Sequence, residues 1–284
     1  MKIWVMASLT IREARRKKLI WVALGLGGAF LALFGLGQHF ILQEIAANAG
    51  RRISEAALRI ELTQASGLLL LMGLFVTNFL IIMMTALTSA GALPGEISSH
   101  TIQTLATKPV HRADIVLGKW VGYAILVIFY IGFMFAGLTA ITYWISGGYT
   151  PPNIIPTLGL LILEGLVVLS LAFLGGVFLS TLANGVLVFM LYGLAFIGSW
   201  VEQIGAAMES ETAIQIGIIA SLIMPSETLW RIASDLVQPP LVRQMGIGPF
   251  TLFSQPSNAM IWYALVYMLA LLGGSLYYFN RRDL

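Results

Sequence analysis

Six apolar runs constrain this chain more than any other feature. They cover 19–40, 67–93, 115–145, 154–182, 186–200 and 259–279. A bilayer core about 30 Å thick is crossed by about 20 apolar residues of helix, so each run reads as a membrane span, the fifth being short. Only 10% of residues are charged and 58% are hydrophobic. A soluble domain carries about 25% charged residues, so this chain could not coat a globule of its size with water-facing groups. The fold class is therefore an all-α integral membrane protein with six transmembrane helices. With no cysteine, disulfides and cysteinyl metal sites are excluded. The opening residues do not read as a secretory signal, because the basic cluster comes late and no small-residue cleavage site follows the first run.

Charge placement orients the spans. With six crossings, the N-terminus, the connection 94–114 and the C-terminal tail share one side. Together with Lys119 they hold 11 of the 16 Lys and Arg residues. The opposite side holds Arg51, Arg52, Arg59, Arg231 and Arg243, diluted by eight acids. The positive-inside rule then puts both termini in the cytoplasm. A prokaryotic inner or plasma membrane is the expected location.

Residues 1–18 end in a cluster that includes Arg12, Arg15 and Arg16, and read as a cytoplasmic interfacial helix. Such a cluster anchors to anionic membrane lipids at about 1 kcal/mol per basic residue. It can also touch a partner. On the far side, 40–66 suits an amphipathic helix over the surface or a continuation of the first span. The external segment 201–258 contains "TAIQIGIIASLIM", too short to span, so a re-entrant or interfacial element is expected. "ETLWRIASDLV" follows, with Leu229, Ile232 and Leu236 sharing a helical face and Trp230 suited to the headgroup level. The "TLANG" stretch reads as a tight turn.

The longest polar island on the cytoplasmic side is "GEISSHTIQTLATKPVHRADIVLGKW", from Gly95 to Trp120. Its apolar residues keep helical spacing through Leu105, with Thr101, Thr104 and Thr107 near one another. Pro109 breaks that helix, and Asp114 sits in the opening turn of the next, where a carboxylate suits the helix dipole. A short helix across the mouth of two spans is a lever.

Here the residues carry a family resemblance. The stretch resembles the cytoplasmic connection of type-2 ABC exporter permeases, in which an acid after the second span precedes a Thr, Leu, Pro, Arg and Gly-Lys series. The matching residues are Glu96, His100, Thr101, Leu105, Pro109, Arg112, Gly118 and Lys119, with His100 standing where the family usually has glycine. The resemblance implies a coupling helix that docks into an ABC ATPase subunit, with Thr104 on the same helix. It implies a second permease as partner, homodimeric or heterodimeric, and an exporter that either passes a substrate or transmits motion to an external accessory protein. Length and layout also resemble the branch of the nitrous oxide reductase maturation permease.

The chain has no G-x-x-x-x-G-K-[ST] phosphate loop; its one Gly-Lys pair, Gly118-Lys119, precedes Trp120. ATP and Mg are therefore expected in the partner subunit, and this chain is not expected to be an enzyme. Glu164 and Asn78 are the candidate intramembrane polar site, since ionisable groups in spans are costly and mark contacts or pathways. Two rival classes follow from the same residues: an ion-coupled secondary transporter using Glu164, and a non-transporting assembly factor. The three scattered histidines offer no metal site, and the basic residues hug the membrane boundary, which does not favour nucleic acid.

Overall fold

The computed structural model describes residues 2–16, 18–49, 54–95, 111–239, 242–243 and 252–281. Its helices, in chain order, are α1 (Lys2–Arg16), α2 (Lys18–Ala49), α3 (Glu55–Ser89), α4 (Arg112–Ile145), α5 (Ile154–Phe178), α6 (Thr181–Ala207), α7 (Glu211–Ile223), α8 (Ser226–Val237) and α9 (Ala259–Arg281). No strand occurs among the described residues. Six helices, α2 to α6 and α9, are long and apolar enough to cross a membrane.

The spans alternate in direction. The starts of α2, α4 and α6 and the ends of α3, α5 and α9 gather at one end of the bundle, called here the root end. The sixth span returns the chain to that end: Phe178 and Tyr278 lie edge to face at 5.1 Å. At the far end, the Tyr263 and Tyr267 hydroxyls donate to the Leu222 and Ile223 carbonyls over 2.5 and 2.7 Å.

α5 is the central post. In its most apolar window 83% of residues are buried, against 17% in α2, which lies at the periphery. Around α5 the core comprises side chains such as Leu70, Leu74 and Ile81 of α3, Ile131, Met134 and Leu138 of α4, and Leu229 and Ala233 of α8.

Four expectations are corrected. Of the two readings of 40–66, the continuation of the first span holds as far as Ala49, and no separate surface helix occurs among the described residues there. α2 runs on to Ala49, and α3 begins again at Glu55, where the Ser54 side chain accepts from the Ala57 N–H and Glu55 complements the dipole. "TLANG" is not a turn but the first turn of α6, so the fourth span ends at Phe178 and the fifth starts at Thr181. On α8 Leu229 is buried as expected, with Trp230 and Ala233 beside it, but Ile232 and Leu236 are only half-buried and the buried face takes in Ser226 and Val237 instead. Trp230 is 3% exposed rather than at a headgroup surface, because its ring packs 6.0 Å from Phe75.

The segment before the last span is a hairpin. Glu209, in left-handed backbone at φ 56°, turns the chain between α6 and α7. Small residues let these helices touch: a Cβ on Gly205 would meet Ala213 at 2.5 Å, Gly198 faces Ala220, and Gly217 faces Glu202. α7 is 13 residues, about 20 Å at 1.5 Å per residue, short of a full crossing. At Met224–Pro225 the chain bends by 105° into α8.

Candidate coupling site

The predicted coupling residues Glu96, His100, Thr101, Thr104, Leu105 and Pro109 lie outside the described residues. What the structure shows is how both roots of that connection are held. The upstream root is the end of α3 and the turn that follows, up to Gly95. The downstream root is the first turns of α4, where Arg112 is half-buried and the Asp114 N–H closes the first turn on the His111 carbonyl at 2.9 Å.

Gly118, Lys119, Trp120 and Gly122 of α4 face three different helices. Gly118 and Gly122 make the seat for α1. A Cβ at Gly118 would strike Met6 and stand 2.9 Å from the Ile3 carbonyl; one at Gly122 would stand 2.7 Å from Thr10 Cβ and 3.0 Å from the Ala7 carbonyl. Only residues without a side chain allow this approach. α1 answers with Met6, Ala7, Thr10 and Ala14, all buried along one face. Thr10 donates its hydroxyl back to the Met6 carbonyl at 2.9 Å, so its polar atom costs nothing at the contact. Trp4, Val5 and Leu9 lie outward, as do Arg12, Arg15 and Arg16. α1 is thus an amphipathic helix fastened to α4, and the Trp21 indole N–H donates to the Arg15 carbonyl at 3.0 Å.

Lys119 points the other way. It is 3% exposed, and its Nζ donates to the Ala92 carbonyl, 3.1 Å away, in the turn after α3. The next residue, Trp120, donates its indole N–H to Ser170 Oγ on α5 at 3.0 Å.

A second side chain grips the same root. Asn184 of α6 is fully buried, and its Nδ2 donates to the Ala90 carbonyl at 3.0 Å and to the Ala172 carbonyl on α5 at 2.8 Å. Gly175 leaves room for the Asn184 carboxamide, and a Cβ on Gly176 would lie 3.0 Å from Pro94. Helix ends leave carbonyls without intrahelical partners; Lys119 and Asn184 supply donors to two carbonyls at this one. Beneath them Ala92, Leu93, Val116, Tyr123, Phe173 and Phe279 form a small separate core. The end of α3 is therefore tied to α4, α5 and α6 together.

Deeper in the bundle, Asn78 Nδ2 on α3 donates to Glu164 Oε1 on α5 at 3.2 Å, with Glu164 fully buried. Glu164 Oε2 and Asn78 Oδ1 have no hydrogen-bond partner. At the far end, Arg231 of α8 makes a two-pronged pair with Glu202 of α6 at 2.8 and 3.0 Å, and also donates to the Ser254 carbonyl at 2.6 Å. Both side chains are about 5% exposed. No group of three or more His, Cys, Asp or Glu side chains able to hold a metal occurs among the described residues.

Sequence reasoning missed Asn184, Thr10, Gly122 and the Glu202–Arg231 pair. The Gly-Lys-Trp-Val-Gly spacing was the available signal for the α1 seat, since glycines four apart share a helix face.

A helical membrane protein of six spans, with a fastened N-terminal helix and a polar connection rooted at one end, is the class this geometry defines. The particular family follows from comparison. Residues 4–284 match the family described as ABC-2 family transporter protein, and the chain belongs to it. The protein is accordingly a membrane permease subunit of an ABC transporter, from a family whose members partner with ABC ATPase subunits. Among curated proteins none matches the chain.

Proposed function

We propose that the chain is the motion-receiving permease of an ATP-driven exporter, with the connection 96–110 as the docking stretch for a separate ATPase that binds ATP and Mg. The observation that carries this reading is the double grip on the root of that connection: Lys119 and Asn184 on the Ala92 and Ala90 carbonyls. A push on the stretch cannot tilt α3 alone; it moves α3, α4, α5 and α6 as a group. α1 rides on α4 and takes part in the same movement.

In this reading both termini and the connection are cytoplasmic in a prokaryotic plasma membrane, as the basic residues favour. The working unit pairs this chain with a second permease, identical or homologous. Work is delivered outward, either as export of a substrate or as motion passed to an external partner at the α7–α8 surface. Within the family, length and layout favour the branch of the nitrous oxide reductase maturation permease. Glu96, His100, Thr101, Thr104, Leu105, Pro109 and Arg112 are the proposed ATPase-facing residues.

The test is purification from native membranes in mild detergent with mass spectrometry of what accompanies the chain. A stoichiometric P-loop ATPase, lost with Glu96→Lys and Arg112→Glu but retained with Lys119→Met, is the expected result. Purification without any ATPase in several detergents would overturn the reading. The buried Asn78–Glu164 pair would then carry the alternative, ion-coupled transport, read as flux collapsed by an uncoupler.

A further inference from the structure

At the far end, a cavity of about 230 Å³ lies between α6, α8, Phe75 of α3 and the Leu252–Phe253 stretch. Its wall is aromatic: Phe75, Trp200, Trp230 and Phe253 line it, with Phe75 6.0 Å from Trp230. Its mouth is apolar and exposed, with Trp200 50%, Ile204 54%, Met208 74% and Phe253 62% accessible. These join Met190, Leu194 and Ile197 in a continuous exposed apolar flank of α6. The cavity therefore opens sideways from a membrane span.

Its inner end is polar. Arg231 and Glu227 both line it and are 4% and 5% exposed. Glu202 holds the two terminal nitrogens of Arg231, yet Arg231 Nε is buried with no acceptor. That nitrogen is sealed from the cavity, so the polar group the cavity offers to a ligand is the Glu227 carboxyl.

We propose that this cavity binds one acyl chain of an uncharged single-chain amphiphile, drawn laterally from the membrane, whose hydroxyl or ester head meets the Glu227 carboxyl. Size sets the chain number. The cavity is smaller than the roughly 300–1,000 Å³ of drug-sized pockets, so a whole two-chain lipid does not fit. Charge sets the head. Glu202 offsets Arg231 and burial disfavours a charge on Glu227, so a charged head of either sign would lose its hydration without a free counter-charge. A hydroxyl or ester group accepts from the Glu227 carboxyl O–H, and a hydroxyl also donates to its second oxygen. The site is independent of the coupling reading, since it involves no residue of the root end.

The test uses the full chain in phosphatidylcholine nanodiscs with a monoacylglycerol carrying a diazirine on the part of its chain next to the ester. Crosslinked residues are mapped by mass spectrometry. Labelling concentrated on Phe75, Trp230 and Ile204, and competed by excess unlabelled monoacylglycerol, is expected. Ala207 lines the exposed mouth, so Ala207→Trp should cut labelling at least five-fold and leave the melting temperature unchanged. Labelling spread evenly along the α6 flank and unaffected by Ala207→Trp would overturn the proposal in favour of ordinary surrounding lipid. Competition only by a dodecyl ammonium or a fatty-acid anion would overturn the uncharged head. Chain-to-chain crosslinks from a photoreactive residue at position 200, with no lipid adduct, would show that a second copy covers the mouth.

Discussion

Lys119 Nζ lies 3.1 Å from the Ala92 carbonyl oxygen in a site where the lysine is 3% exposed, joining the start of one membrane helix to the turn that ends another. The two residues flank the whole connection 96–110. Lys119→Met keeps the aliphatic stem but leaves the carbonyl without this donor, at a cost of about 1–3 kcal/mol. The variant is expected to assemble with an ATPase partner yet lose at least ten-fold of the response of ATPase rate to the permease. An unchanged response, measured on the purified complex, would remove Lys119 from the transmission path.

Asn184 should behave as a structural clamp. Asn184→Leu removes donors from two carbonyls at once and puts branched carbon against Gly175. A loss of about 2–6 kcal/mol is expected by doubling the cost of one unsatisfied group. Thermal unfolding in detergent would read it as a clear drop in melting temperature, and an unchanged melt would refute the clamp.

The α1 seat predicts a local release rather than global unfolding. Gly122→Val forces its side chain onto Thr10 and the Ala7 carbonyl, where there is no room. Overpacking costs about 1–3 kcal/mol, enough to lift α1 off α4. Limited trypsin digestion should then cut at Arg12, Arg15 and Arg16 several-fold faster, with the bundle intact on a gel. Equal rates would show that α1 is held elsewhere.

For the Glu202–Arg231 pair the sign depends on which partner is lost. Arg231→Met leaves Glu202 buried without its cation and should cost about 3–5 kcal/mol. The double variant Glu202→Leu with Arg231→Met should recover most of that loss. A double-mutant cycle by thermal melting measures the coupling; additive losses would mean that the pair does not act as a unit.

The Asn78–Glu164 contact gives a test between readings. If it only joins α3 to α5, Glu164→Gln preserves ATP-driven activity within about three-fold, and the coupling energy falls in the range of about 0.6–2 kcal/mol for interhelical hydrogen bonds. Complete loss of activity with an unchanged melt would make Glu164 a working group of the transport path.

The spans were legible because a run of about 20 apolar residues has little else it can be. Their ends were less so. Asn and Gly in "TLANG" carry turn chemistry on paper, but in the fold Asn184 bonds to carbonyls of two other helices, a use that no local pattern announces. α8 misled in a different way. An amphipathic stripe assumes one packed side, whereas α8 is wedged among α5, α6 and α3, so residues beside the stripe are buried too. Glu202 and Arg231 stand 29 positions apart and were counted as surface charges; only the α6–α7–α8 reversal brings them together. On the candidate site, the sequence marked the connection and its Gly-Lys boundary, while the residues that fasten its roots came from the tertiary contacts.

The 105° bend at Met224–Pro225 also fixes an arithmetic parity. Were α7 and α8 straightened into one crossing, the bundle would hold seven passes, and the tail from Arg281 onward would emerge opposite the N-terminal helix. Because the chain bends there, α1 and the last turn of α9 stand at the same end of the bundle. A single proline corner thus decides whether α1 and the last turn of α9 stand together or at opposite ends of the bundle.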